Sequence, residues 1–194
     1  MRKKRRMTAG MIVFILVLAG TCLTVVSKRS ATLDYGDYDE LIVTSPSFVN
    51  SVIPVQYTGN GEDDSPELMF LNLSEEAVSI AIIMDDLDIP LRGVYNHWTI
   101  WNIPPRDVIP EGIPHGATVP ELDGAVQGVG YGRNRYRGPK PPFGSHRYQF
   151  HVFVLDCMLD LEVAAGKKEL LAAMEGHILQ YGSVTGVYPG DETE

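Results

Sequence analysis

Arg137-Gly138-Pro139-Lys140-Pro141-Pro142-Phe143-Gly144-Ser145-His146-Arg147-Tyr148, continued by Gln149-Phe150-His151-Val152-Phe153-Val154-Leu155, is the most informative stretch of this chain. The proline and glycine run is incompatible with a helix or a central strand, because proline has no N–H to donate and a fixed φ. It delivers the chain into a strand beginning near Tyr148, whose apolar and aromatic residues suit a pleated, half-buried surface. His146 and Tyr148 are two residues apart, so they face one side once the strand has begun. An imidazole beside a phenol at a strand mouth, with stiff prolines alongside, makes a good rim for a small anion. Arg133, Arg135, Arg137, Lys140 and Arg147 crowd the same region and would focus an anion toward it. The bland alternative is that these cations pair with surface acids, which is common and energetically minor.

Outward from that strand, the same texture recurs. Leu41-Ile42-Val43, Val78-Ser79-Ile80-Ala81-Ile82-Ile83-Met84 and Trp98-Thr99-Ile100-Trp101-Asn102-Ile103 are short and rich in β-branched or aromatic residues, and each reads as a strand. The connections are too short and too proline-rich for βαβ crossovers, so a mostly antiparallel sheet architecture is expected. One helix is expected over Lys167 to Tyr181, with Leu170, Met174, Ile178 and Tyr181 on one face and Gly182 as its stop. Pro104 to Pro142 reads as a long excursion of loops, and loops of that length usually carry function.

The 194 residues suffice for one domain with a sizeable core. A hydrophobic content of 44% with 21% charged residues is ordinary globular composition and excludes a disordered chain. Five of the 16 basic residues lie within the first six positions. From Lys28 onward, 11 basic residues face 25 acidic ones, a balance that disfavours general nucleic-acid binding and contact with anionic bilayer surfaces. Cys22 and Cys157 offer no disulfide framework. Without paired Cys or Cys/His ligand patterns, no structural metal and no cofactor are expected.

After Arg2-Lys3-Lys4-Arg5-Arg6, Thr8 to Val26 runs without a charge and is long enough to span a bilayer core. Lys28 and Arg29 close it. The charge bias puts the N-terminus in the cytoplasm and the body outside. Residues 1–27 are therefore either an uncleaved membrane anchor or a cleaved signal peptide, with Val25-Val26-Ser27 offering a cut. A lipoprotein signal at Cys22 ranks third, since Ala19-Gly20-Thr21 matches it poorly. Residues 28–40 are polar and read as a linker, which leaves 41–194 as the domain.

Two further segments carry polar groups. Asp85-Asp86-Leu87-Asp88-Ile89-Pro90 follows directly on a strand, and Asp86 and Asp88, two apart, would point to one side. Taken alone this is a solvated acidic turn. Asn96-His97-Trp98 opens another strand, where a lone histidine is more often packed than a ligand. There is no GxSxG elbow, HExxH or Walker A sequence. Ser145 beside His146 makes no triad, because neighbours on a strand point to opposite faces, and His151 and His177 have no motif around them.

Taken in order, these segments resemble the phosphatidylethanolamine-binding protein family, and most closely its bacterial and archaeal Raf-kinase-inhibitor-like branch. The similarity runs from about Leu41 to Tyr188. It begins at Thr44-Ser45-Pro46-Ser47-Phe48, with Ile53-Pro54-Val55-Gln56-Tyr57-Thr58 and Ser65-Pro66-Glu67-Leu68 following. Asp86-Leu87-Asp88-Ile89-Pro90 stands where the family has Asp-Pro-Asp-Ala-Pro. His97-Trp98 with Asn102-Ile103-Pro104 resembles the next block, and Arg137 to Tyr148 resembles the Gly-Pro-x-Pro-Pro-x-Gly-x-His-Arg-Tyr signature. Leu87 and Ile89 depart from the family's Pro and Ala. Lys140 stands where bacterial relatives often have Cys, adding a cation at the mouth.

The resemblance implies a mostly β fold, a β-sandwich of two antiparallel sheets with a few short helices, one near the C-terminus. It also implies a single pocket for a phosphate-type anion such as a phospholipid head group. By position Asp86, Asp88, His97, His146 and Tyr148 would serve it, with Pro90, Pro141 and Pro142 shaping its walls. Asp86 would repel a phosphate, so it is expected to orient His97 or His146 or to be protonated near the ligand, while the imidazoles and the phenol donate to the phosphate oxygens. The function implied is non-enzymatic binding of a small anion or head group, with modulation of a protein partner as relatives inhibit kinases or proteases. Bacterial relatives suggest a homodimer. The alternatives are a hydrolase of phosphate or carboxylic esters working through the Asp/His/Tyr pocket, and an interaction protein whose pocket is vestigial.

Overall fold

The computed structural model describes residues 38–90 and 93–190. The anchor or signal expected over residues 1–27 lies outside the described residues. Among those described, no helix is long and apolar enough to cross a membrane.

The strands are β1 (Asp39–Glu40), β2 (Ile42–Thr44), β3 (Leu68–Leu71), β4 (Ser79–Ile89), β5 (Gly93–Ile103), β6 (Val108–Ile109), β7 (Thr118–Val119), β8 (Ala125–Gln127), β9 (Ser145–Leu155) and β10 (Ile178–Pro189), with one helix, α1 (Lys167–Met174), before the last strand. They form a seven-stranded sheet in the order β1-β10-β9-β4-β5-β8-β7 and a three-stranded sheet in the order β2-β3-β6. All pairings are antiparallel except that of β1 with β10. The chain is thus mostly β, with two sheets and one helix.

The three long runs expected as strands lie, but for Val78, within β4, β5 and β9, side by side in the large sheet. Alternation along β4 sends Ile80, Ile82 and Met84 to one face, opposite Val154, Val152 and Phe150 of β9. That face shares one core with Val43, Leu68, Phe70 and Ile109 of the small sheet, and each fully buried aliphatic side chain contributes about 1.5–3 kcal/mol. Ala81, Ile83 and Asp85 point the other way, and Lys167 at the start of α1 reaches Asp85. The first eight residues of β4 are consequently all buried.

The helix begins at Lys167 as expected but ends at Met174, and Ile178 and Tyr181 belong to a strand. Gly176 takes a φ of 82° and reverses the chain. From Ile178 onward it pairs with β9 along that strand's whole length. Gly182, expected as a helix stop, serves a close approach instead: a Cβ there would fall 2.0 Å from the Leu41 carbonyl oxygen. The loop excursion of Pro104 to Pro142 also holds three short strands, β6, β7 and β8.

Candidate functional site

Three adjacent strands, β9, β4 and β5, carry four polar side chains to one end of the core face. On β4, Asp86 continues the inward series of Ile82 and Met84. Its partner across the ladder on β9 is Tyr148, and His146 lies two residues before Tyr148 on the same face. On β5 plain alternation would turn His97 away from Trp98, but the register slips. Met84 faces Trp98 whereas Asp85 faces Asn96, so His97 is the extra residue of a bulge. An extra residue re-aims side chains in this way, and His97 comes within 4.0 Å of Asp86 (Nε2 to Oδ2). All four are buried: Asp86 is 1% exposed, His97 and His146 4%, Tyr148 0%.

The hydrogen bonds fix the proton positions. His146 Nδ1 lies 2.8 and 3.0 Å from the two Asp86 oxygens. A carboxylate only accepts, so the proton is on Nδ1. Asp86 Oδ1 also accepts from the Asp88 backbone N–H at 2.9 Å. His97 Nδ1 lies 2.8 Å from the Arg137 carbonyl and must donate to it, which leaves the Nε2 lone pair of the neutral ring toward Asp86. Burial holds the His97 pKa below its ordinary value. Burial, with the Asp86 charge next, pushes the Tyr148 phenol far up, so Tyr148 keeps its proton. Its hydroxyl makes no hydrogen bond of ordinary geometry among the described residues, although the Asp86 carboxylate stands close enough to add to that shift.

Asp86, His97 and Tyr148 face a recess of about 320 Å³. Ile89, Pro141 and Pro142 give it apolar walls, and Tyr131, Arg137, Gly138 and Lys140 complete the lining. Tyr131 packs edge-on against His97 at 5.0 Å between centroids, and the Arg137 guanidinium lies 5.7 Å from the Tyr131 ring centre. Tyr148 meets His97 from another side at 5.4 Å. The lining loop is held by Asp63, whose Oδ1 accepts from the Gly138 N–H at 2.7 Å. A side chain at Gly138 would collide with the Tyr57 carbonyl oxygen, 2.6 Å from an added Cβ.

The residues singled out from sequence fall into three groups. Asp86, His97, Tyr148, Pro141 and Pro142 line the recess. His146 is bonded to Asp86 but is not itself in the lining, and it lies buried within the sheet rather than on a rim. Asp88 and Pro90 lie apart from it. The ladder shifts again between Asp86 and Ile89, and Asp88 pairs with Arg147 through Nε at 2.9 Å and Nη2 at 2.7 Å. That pairing draws the Asp88 carboxyl down to about 2. Pro90 is exposed at the end of β4.

Tyr131 lies in the long loop excursion and belongs to no motif of the sequence. Its signal is local: it sits between Gly130 and Gly132 and takes a φ of 48°, rare for a bulky side chain. Arg137 stands out in the sequence as one of a basic group and as the start of the proline-rich signature stretch, not as a lining residue. Chemically, the recess offers a phenolic donor and two cations around a floor that otherwise accepts. Among the described residues, the one group of three metal-type donors is Asp156, Cys157 and His177, none of which lines the recess.

Residues 44–189 match the family model described as phosphatidylethanolamine-binding protein. A UPF0098 protein of Pyrococcus abyssi is 45% identical over 157 residues, which span 79% of this chain and 88% of that one. A UPF0098 protein of Chlamydia muridarum is 38% identical over 144 residues, 72% of this chain and 91% of that one. Among solved structures, CT736 of Chlamydia trachomatis, described as a phosphatidylethanolamine-binding protein homologue, superposes with a TM-score of 0.69 at 34% identity over 80% of this chain and 99% of that one. Escherichia coli YbcL, described as a new member of the mammalian family, gives a TM-score of 0.67 at 26% identity, covering 77% and 98%.

Proposed function

Because the chain belongs to the phosphatidylethanolamine-binding protein family, in its bacterial and archaeal branch, we propose that it binds a small phosphate-type anion or phospholipid head group in the recess between β4, β5 and the loop around Arg137, without turnover. The observation that carries this reading is the buried Tyr148 hydroxyl. It makes no hydrogen bond of ordinary geometry among the described residues, and Tyr148 lines a recess that also presents Arg137 and Lys140. A buried unsatisfied hydroxyl costs about 1–3 kcal/mol, and a ligand oxygen relieves that cost.

The floor refines the choice of anion. Asp86 and the His97 Nε2 lone pair are both acceptors, 4.0 Å apart, so a fully ionised phosphate is repelled there. A singly protonated phosphate places its P–OH proton toward this pair and its ionised oxygens toward Tyr148, Arg137 and Lys140. Asp86 and His146 act as the rigid support, and Pro141 and Pro142, having no N–H, keep the wall stiff.

In this reading the domain is exported and either held at the outer face of the cytoplasmic membrane or released. It works by binding, with a protein partner or a second copy of the chain as its target. Support for export is the basic-then-apolar N-terminal sequence alone, and mass measurement of the mature protein tests it.

The function is tested by calorimetry on the full-length protein in mild detergent with inorganic phosphate and phosphoethanolamine. Saturable binding near one site per chain is expected, strongly reduced in His97→Ala, together with no turnover of p-nitrophenyl phosphate or p-nitrophenyl acetate. Ester hydrolysis that disappears in His146→Ala would overturn the reading in favour of an enzyme. Absence of binding at millimolar ligand would overturn it in favour of a vestigial pocket.

A further inference from the structure

A second recess, of about 300 Å³, adjoins the first. Tyr131 and Arg137 line both, and Gly130, Arg133 and Arg135 complete the second. The alternation of this stretch is built in by its inward residues. Asn134 Nδ2 donates to the carbonyls of Gln127 and Val163 at 2.8 and 2.6 Å. Tyr136, fully buried, donates its hydroxyl to the Tyr57 carbonyl at 2.8 Å. With those two pinned inward, Arg133, Arg135 and Arg137 are left on the other side.

Their charge is not balanced locally. Asp63 Oδ2 is shared by Arg135 and Arg137 at 3.4 Å each, while Asp63 Oδ1 is occupied by the Gly138 N–H. No carboxylate pairs with Arg133 among the described residues, and the Arg135 Nε is buried without a hydrogen-bond partner. Three guanidiniums around one shared carboxylate leave a surplus of two positive charges. That surplus sits in a body where acids outnumber bases by 25 to 11, so carboxylates to neutralise it abound in the sequence but are not placed here. Guanidiniums suit phosphate and carboxylate, whose oxygens they bind in pairs.

We propose that the two recesses are subsites of one groove, and that the ligand is a small molecule carrying two anionic groups, one held at Tyr148 and His97 and the other at Arg133 and Arg135, with Arg137 between them. This inference rests on the anion-binding reading above and specifies its ligand class. The second anion is a phosphate or a carboxylate, since the guanidinium chemistry is common to both.

Three probes separate these cases at fixed ionic strength: inorganic phosphate, propane-1,3-diyl bisphosphate and 2-phosphoglycolate. Calorimetry on the full-length protein in detergent is expected to show at least one two-anion probe binding tenfold or more tighter than phosphate. Tightest binding of the bisphosphate assigns a second phosphate, and tightest binding of 2-phosphoglycolate assigns a carboxylate. Arg133→Gln is expected to remove most of that advantage while leaving phosphate affinity within twofold. Lys168→Gln, which makes the same change of net charge on α1, is expected to leave it intact. Equal affinity for one-anion and two-anion probes overturns the inference, as does an advantage that survives Arg133→Gln or falls equally in Lys168→Gln. Failure of phosphate itself to bind removes the first reading and this one together, whereas phosphate binding without a two-anion advantage removes only this one.

Discussion

The Asp86 carboxylate is bonded by His146, 2.8 Å away on the neighbouring strand, and not by His97, whose Nε2 stands 4.0 Å off. Two imidazoles beside one buried acid therefore have different duties. One braces the acid. The other is turned by the Arg137 carbonyl so that its lone pair faces the recess.

Removing the braced acid weakens the sheet. A buried hydrogen bond to a charged group is worth about 1.5–3 kcal/mol, and Asp86 also accepts from the Asp88 N–H. Asp86→Ala is expected to lose about 2 kcal/mol, lowering Tm by about 4–8 °C. Asp86→Asn keeps one acceptor and should lose less. Thermal unfolding of the three proteins checks the order.

Tyr148→Phe should separate stability from binding. The lost hydroxyl makes no hydrogen bond of ordinary geometry among the described residues, so the fold changes by less than about 1 kcal/mol or gains slightly. Ligand affinity should fall by about ten- to a hundredfold, the equivalent of one charge-assisted hydrogen bond. Denaturant melts and phosphate titrations on the same samples measure both.

The pH dependence of binding follows from two acceptors on the recess floor. A phosphate ester sheds its second proton at about pH 6, and the doubly charged form meets Asp86 and the His97 lone pair with nothing to donate. Phosphoethanolamine affinity is expected to fall steadily from pH 5 to pH 8. Protonation of His97, whose pKa burial lowers, adds a donor only at the acid end and works in the same direction. Calorimetry at four pH values gives the slope.

Acid sensitivity of the fold has a source on the opposite face of the sheet. His151 is buried, with Tyr181 2.8 Å from its Nδ1 and Asp85 3.6 Å from its Nε2, and Lys167 is bound to the same Asp85. Burial lowers the His151 pKa to about 4; Asp85 opposes the shift and Lys167 reinforces it. The unfolded chain takes up this proton as pH falls past about 6.5, whereas the folded chain does not until near 4. The neutral ring's contribution is thus complete above pH 6.5 and is lost as pH falls from 6.5 toward 4, by at most about 1.4 kcal/mol per pH unit. Tm measured over that window should drop more steeply in the native protein than in His151→Asn.

The sequence made some of this legible and hid the rest for physical reasons. Tyr148 and His146 were readable because a strand period of two governs β9 without interruption. Alternation does not reach His97, which only the family resemblance places in the pocket, because a register slip leaves no mark in a single sequence. Simple alternation would have set His97 opposite to Trp98, and only the bulge brings it to Asp86. The same kind of slip separates Asp88 from Asp86 and delivers it to Arg147. β10 was misread because Ile178 and Tyr181 fit helical spacing as well as a strand, and because Gly182 looks like a helix stop when its task is to let the Leu41 backbone approach. Tyr131 and the arginine series depend on where a long irregular loop folds back, which local pattern does not encode.

An NMR titration of the full-length protein with inorganic phosphate, followed through the imidazole nitrogens, reads the recess most directly. Saturable shifts are expected at His97 Nε2, with smaller ones at His146 through Asp86 and none at the exposed His177. Shifts confined to His177, or a His97 ring indifferent to millimolar phosphate, would contradict an anion seated between Asp86, His97 and Tyr148.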